Sequence, residues 1–221
     1  MKNIIFSSSC TVYGATNEVT IKEEQQKAPI NPYANSKFFV EKILEDFAHA
    51  YQLKYAILRY FNAAGIDIES GLKRSPDSQH FLIPRALLAL LDDSKTLPIF
   101  GTDYPTPDGT AIRDYIHVKD LADAHTLALT HLLNTQSNIA VNLGTGSGCS
   151  VLDILSAIKQ VTKRDVPTQI FPRREGDVPQ AVADPSLVKR VLNFTPRYSD
   201  LHTIIDSEWR AIHEDSLEVE R

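Results

Sequence analysis

The segment from residue 3 to residue 60 constrains the fold most. An apolar run, NIIF, ends in Ser7, Ser8 and Ser9, a helical pattern follows, and a second apolar run, YAILRYF, closes the segment. Asn31 and Pro32 stand where a cap and a first-turn proline belong, and Phe38, Phe39, Ile43, Leu44 and Phe47 recur at helical spacing. Strand, helix and strand in that order predict a crossover connection and a parallel sheet. Such sheets present ligand-facing groups where their strands end, which is where the three serines lie.

Downstream, residues 66–80 read as a polar loop and FLIPRALLALL as a helix with Pro84 in its first turns. GTDYPTPDGTAIRDYIHV is dense in turn residues before it becomes apolar. A helix from about Asp120 to Leu133, a strand IAVNL, a glycine loop and a helix from Val151 to about Val161 follow. The end holds PTQIF, a short helix near Leu187–Leu192 and an amphipathic helix near Leu201–Ile212. The class is α/β.

With 221 residues, 43% of them hydrophobic and 23% charged, the chain can bury a core as one large or two small domains. A net charge of −5 without a basic run argues against nucleic-acid and anionic-membrane partners, so an anionic small ligand needs locally placed arginines. Cys10 and Cys149 are too few for a disulfide framework and match no zinc spacing, which makes a reducing cytoplasm the expected location. The start, MKNIIFSSSC, lacks the roughly 7–15 apolar residues of a signal-peptide core. No window reaches the roughly 18 apolar residues of a membrane span.

Three motifs compete for a functional reading. NLGTGSG follows a strand and precedes a helix, but its GxGxG spacing departs from a dinucleotide fingerprint, and a tight turn with Ser150 and Asp153 capping the next helix is the plainer account. His117, Asp120, Asp123 and His125 spread around a helix entry instead of converging, so no metal is expected; Asp120 reads as the cap and Asp123 as a solvated first-turn carboxylate. Tyr33 and Lys37 are four apart on one helix face, which sets an ammonium beside a phenol.

Together, SSSCTVYG, PYANSK, LRYFNAAG, DGTAIRDYIHVKDLADAH, NLGTGSG and RREGDVPQAVAD, in this order and spacing, resemble the extended short-chain dehydrogenase/reductases, and within them the nucleotide-sugar 4-epimerases. The likeness runs from Asn3 to about Asn193. It implies the C-terminal part of a Rossmann-type parallel sheet, at 1–62 and 114–143, and a smaller α/β domain that grips a nucleotide sugar, at 63–113 and 144–221. It also implies NAD as cofactor, a UDP-hexose substrate and a homodimer. Related 4,6-dehydratases carry an Asp-Glu pair where Cys10 and Thr11 stand, so inversion at C4 is the implied reaction.

By the same resemblance Tyr33 is the base, Lys37 its cationic neighbour and a ribose contact, and Ser9 a hydrogen bond to the reacting oxygen. Phe61 lies beside the nicotinamide, Asn62, Arg113 and Arg174 on the diphosphate, Asp177 on a ribose and Tyr115 beside the uridine. Bringing a phenol from pKa about 10 to neutrality needs roughly 4 kcal/mol. One cation about 5 Å away at an effective dielectric of about 20 supplies roughly 3 kcal/mol. Ala181 replaces a large tyrosine found in enzymes restricted to plain hexoses, which implies UDP-GlcNAc and UDP-GalNAc as substrates beside UDP-glucose and UDP-galactose. Phe81 departs from the polar residue usual before LIP.

The resemblance places a glycine-rich βα turn, its ribose-binding acid and about four strands ahead of residue 1. A chain of this span is then expected neither to hold NAD nor to epimerise by itself, and the alternatives are an inactive fragment with weak UDP-sugar binding or another NAD-dependent nucleotide-sugar enzyme of the family.

Overall fold

A computed structural model describes residues 2–16, 18–71, 79–92 and 94–219, the last six as backbone only. Strand β1 (Asn3–Ser9) leads through a short 3-10 turn and a long loop to helix α1 (Pro32–Tyr51), then to β2 (Lys54–Tyr60) and β3 (Asn62–Ala64). Helix α2 (Leu82–Leu88), β4 (Leu97–Phe100) and β5 (Ile112–His117) follow, then α3 (Val118–Thr135) and β6 (Ile139–Leu143). The remainder is β7 (Gly148–Ser150), α4 (Val151–Thr162), β8 (Thr168–Phe171), β9 (Gln180–Ala181), α5 (Ser186–Leu192) and α6 (Leu201–Val219).

Strands β1, β2 and β6 form a parallel sheet in that order, with Ser9 opposite Tyr60 and Tyr60 opposite Leu143. The crossover expected from the first sixty residues is present. On one side, Leu58 and Val141 from the strands meet Ala124, Ala128 and Leu132, one stripe of α3 at a four-residue repeat. A second sheet is built on β5, which pairs with β3 and β9 in parallel and with β7 antiparallel. Helices α2, α4 and α6 pack on each other through Ile83, Leu87, Ile154, Ile158, Ile204 and Ile205. A full side chain of this size contributes roughly 1.5–3 kcal/mol on burial, so each stripe outweighs any one cap.

Local signals decide the helix starts. Asn31 Oδ1 accepts from the Ala34 N–H at 2.8 Å with Pro32 at the first position, and Ser150 with Asp153 forms a reciprocal capping box. Three expectations change. Helix α3 starts at Val118, and its cap is His117, whose Nδ1 accepts from the Lys119 N–H at 3.0 Å. Asp120 is instead fully buried and accepts from Arg197 N–H, Tyr198 N–H and the Ser199 hydroxyl, while Asp123 pairs with Arg197. On α1 the stripe splits: Leu44 is buried, whereas Phe39, Ile43 and Phe47 face outward. Of the loop expected over 66–80, Ile68–Ser70 is a 3-10 turn and residues 72–78 lie outside the described residues.

The glycine loop wraps a side chain of the protein itself. Asp114, fully buried on β5, accepts from the Thr145 and Gly146 N–H groups, the Thr145 hydroxyl and the Ala183 N–H. A Cβ on Gly144 would stand 2.5 Å from the Asp114 carboxylate, which explains a glycine there without a phosphate.

Candidate active site

Tyr33 sits at the start of α1, with its side chain half exposed at the C-terminal end of β1. Ser9, the last residue of β1, caps the following turn: its Oγ accepts from the Thr11 N–H at 3.2 Å and the Thr11 hydroxyl at 3.0 Å. A serine hydroxyl has two acceptor sites and one proton, so Thr11 leaves that proton free for a neighbouring oxygen, and Ser9 next to Tyr33 lowers the phenol's pKa. A bond donated to the phenol oxygen favours the phenolate.

Lys37 lies on the same face. Its Nζ donates to the Ser7 carbonyl at 2.9 Å and stands 5.6 Å from the centre of the Tyr33 ring and 5.3 Å from that of Phe6. The spacing therefore brings the pair together, but the expected ionisation does not follow from it. Loss of water raises the Tyr33 phenol above its ordinary value, the neighbouring Ser9 hydroxyl works against this, and Tyr60 and Cys10 add to the rise. The ammonium donates to a backbone carbonyl and lies over the Tyr33 ring.

Three adjoining cavities meet here. One of about 550 Å³, mostly apolar, is lined by Tyr33, Tyr60, Phe61, Asn62 and Phe81. One of about 270 Å³ holds Ser9, Thr11, Asn62, Arg113, Asp177 and Ala181. One of about 220 Å³ holds Asn62, Phe100, Arg113, Tyr115, Arg174 and Asp177. Asn62 belongs to all three and Arg113 to two, so nine of the ten candidate residues fall along one cleft, and the tenth, Lys37, stands beside Tyr33 without lining it.

The topology explains this. Asn62 opens β3, whose partner β5 supplies Arg113 and Tyr115, and β9 lays Ala181 opposite Arg113. Of the two neighbouring arginines, Arg173 is taken by Asp103, to whose carboxylate its Nε donates at 2.7 Å, whereas the Arg174 guanidinium lies 3.8 Å from the Phe100 ring centre and lines the cleft. Burial pushes the Cys10 thiol up to about 12, so it is a neutral wall beside Ser9 and no nucleophile. Tyr115 is likewise held neutral by burial.

Sequence reading missed a layer beneath these residues. Glu41, one turn after Lys37, and Arg59, inside the apolar run of β2, form a buried ion pair at 2.7 Å. Ser8 donates to Glu41 at 2.5 Å, and Arg59 Nη1 to the Tyr13 hydroxyl at 3.0 Å. The signal was present as one acid and one base on positions that otherwise face the core.

Residues 1–144 match the model of the NAD dependent epimerase/dehydratase family. A UDP-glucose 4-epimerase of Rhizobium leguminosarum bv. trifolii is 43% identical over 205 residues, 93% of this chain and 62% of that protein. The crystal structure of UDP-glucose 4-epimerase from Brucella ovis in complex with NAD superposes with a TM-score of 0.89 at 48% identity, covering 95% of this chain and 64% of that one. The enzyme from Stenotrophomonas maltophila with bound NAD and formylated UDP-arabinopyranose gives 0.93 at 37% identity, over 98% and 65%. The chain thus spans about 62% of the length of the first of these relatives. A Rossmann-type parallel sheet, the paired tyrosine and lysine at its edge and a matching family model over most of the sheet lead to one conclusion: the chain belongs to the NAD dependent epimerase/dehydratase family.

Proposed function

We propose that this chain supplies the acid–base and nucleotide-sugar-binding parts of a UDP-hexose 4-epimerase, acting on UDP-glucose and UDP-galactose and, through the small Ala181, on UDP-GlcNAc and UDP-GalNAc. The observation that carries the reading is the single cleft that begins at Tyr33 and Ser9 and ends at Arg113, Arg174 and Asp177. The two arginines suit a diphosphate, Asp177 a ribose hydroxyl, and the space beside Ala181 the hexose. Tyr33 takes the 4-hydroxyl proton and later returns it, while Ser9 holds the same oxygen.

Tyr60 and Phe61 wall an apolar cavity at Tyr33 that suits a flat ring, and Lys37 beside Tyr33 would hold the adjoining ribose. These residues fit the nicotinamide end of NAD; the sequence holds nine glycines, none at GxxGxxG spacing, for its pyrophosphate. NAD bound at this end would supply a reversible two-electron acceptor for C4 and a positive ring that favours the phenolate. Such a charge would oppose the loss of water that raises the Tyr33 phenol. Inversion itself needs the oxidised sugar to present its other face before reduction.

The test joins the N-terminal segment of the Rhizobium leguminosarum bv. trifolii relative in register ahead of β1 and measures UDP-galactose formation. Tyr33→Phe lowers kcat at least about 100-fold and leaves UDP binding unchanged. Lys37→Met moves the rising limb of the pH profile upward, since the phenolate loses a neighbouring cation. Near-full turnover of Tyr33→Phe at neutral pH overturns the reading.

A further inference from the structure

Tyr33, Lys37 and Glu41 stand at a four-residue repeat on one face of α1, and each is tied to a different residue of the β1 end. Tyr33 stands next to Ser9, Lys37 Nζ donates to the Ser7 carbonyl at 2.9 Å, and Glu41 Oε1 accepts from the Ser8 hydroxyl at 2.5 Å. The first two are exchangeable with water, because Tyr33 is half exposed and Lys37 part-buried. The third is not: Ser8 is 0%, Glu41 1% and Arg59 3% exposed.

Glu41 is also bound from β2. Arg59 Nε donates to Oε1 at 2.9 Å and Nη2 to Oε2 at 2.7 Å, a two-point grip that fixes the orientation of the carboxylate as well as its distance. Arg59 in turn is braced by the Tyr13 hydroxyl, which donates to Asn142 Oδ1 at 2.7 Å on β6. The chain of contacts thus crosses the whole sheet from β6 through β2 to β1 and ends on α1. It has a second effect: with three donors on Glu41, its charge is matched by Arg59, and Lys37 one turn away is left to Ser7 and to the face of Tyr33.

We propose that Glu41 and Arg59 are positioning residues, which set where α1 stands along β1 and so hold the Tyr33 hydroxyl at Ser9 and the Lys37 ammonium beside it. The inference rests on the reading of Tyr33 as the base, but its geometry can be tested without turnover. A buried ion pair invites the right variant: replacing both partners by apolar side chains of similar volume is often neutral or stabilising for a fold, whereas removing one leaves a buried charge. Glu41→Leu with Arg59→Met therefore separates positioning from stability.

In the 221-residue chain, the nuclear Overhauser contact between the Tyr33 ring and the Ser9 β-protons is measured, with Tyr33→Phe for assignment, alongside the thermal midpoint. The double variant keeps its midpoint and loses the contact. In the N-terminally joined enzyme it lowers kcat roughly tenfold or more with KM for UDP-glucose little changed. If the double variant does not fold, Ser8→Ala, which deletes only the strut from β1 to Glu41, weakens the same contact. An unaltered Tyr33–Ser9 contact in a folded double variant, or in Ser8→Ala, overturns the positioning role. A lost contact with unchanged kcat overturns the assignment of Tyr33 as base, on which that role in catalysis rests.

Discussion

At the residue scale, small differences decide what the cleft can hold. Ala181 lies on β9 opposite Arg113 and lines the same 270 Å³ space as Ser9 and Thr11, so any larger side chain there grows into the proposed hexose site. Ala181→Tyr in the joined enzyme is expected to abolish turnover of UDP-GlcNAc while leaving UDP-glucose within about an order of magnitude, since a filled pocket discriminates by excluding the bulkier ligand. Parallel rate measurements on the two sugars check this; equal loss of both, or of neither, counts against the role of Ala181. The roles of single residues were legible where the partner lay close in sequence. Tyr33 with Lys37 could be read from their spacing, whereas the loss of water that raises the Tyr33 phenol, and the smaller additions from Tyr60 and Cys10, depend on how other elements pack around it.

At the scale of elements, the caps show where local reading suffices. Asn31 and the Ser150–Asp153 box act within three residues of themselves and were legible. Asp120 was misread because its acceptors are spent on residues 197–199, a segment far off in sequence that no local rule anticipates. The task of capping α3 falls to His117. It is buried against Gly65, and its Nδ1 must remain unprotonated to accept from Lys119 N–H. Burial lowers its pKa below the ordinary 6.5, with Asp120 and Asp67 opposing. The unfolded chain thus takes up the proton first, so the contribution of His117 is complete above about pH 6.5 and is lost as pH falls from there through the folded value. His117→Asn keeps a capping acceptor but cannot titrate. Its unfolding free energy, by urea titration, is expected to lie below that of the parent at pH 7.5 and to lose less between pH 7 and pH 5. Parallel pH slopes for the two proteins would refute the assignment.

At the scale of the whole molecule, the parallel sheet and its crossovers could be read from the order of apolar runs, but the second sheet could not. Its strands β3, β7 and β9 have only two or three residues each and are defined by pairing with β5, which no periodicity in such short pieces reveals. The same limit hid the outward face of α1: an apolar residue at helical spacing looks the same whether it faces the sheet or the solvent. Phe39 is 68% and Phe47 49% exposed, with Ile43 between them and Tyr51 beyond, a single stripe at a four-residue repeat. In addition, among the described residues no strand pairs with the outer edge of β1, whose Ile4–Phe6 segment is apolar. Both surfaces favour association, one through apolar area and the other through open backbone groups. The helix stripe should dominate, because its aromatic side chains gain most when water is excluded, while the edge of β1 ends in serines and offers only a short template. The purified 221-residue chain is therefore expected to self-associate as its concentration rises, in sedimentation velocity runs. Phe39→Lys with Phe47→Lys is expected to shift it toward monomer without lowering its thermal midpoint, since both positions are solvent-facing and lysine is the better helix former. A parent chain that stays monomeric throughout would remove the basis for this, and a double variant that associates as strongly as the parent would transfer the role to the edge of β1.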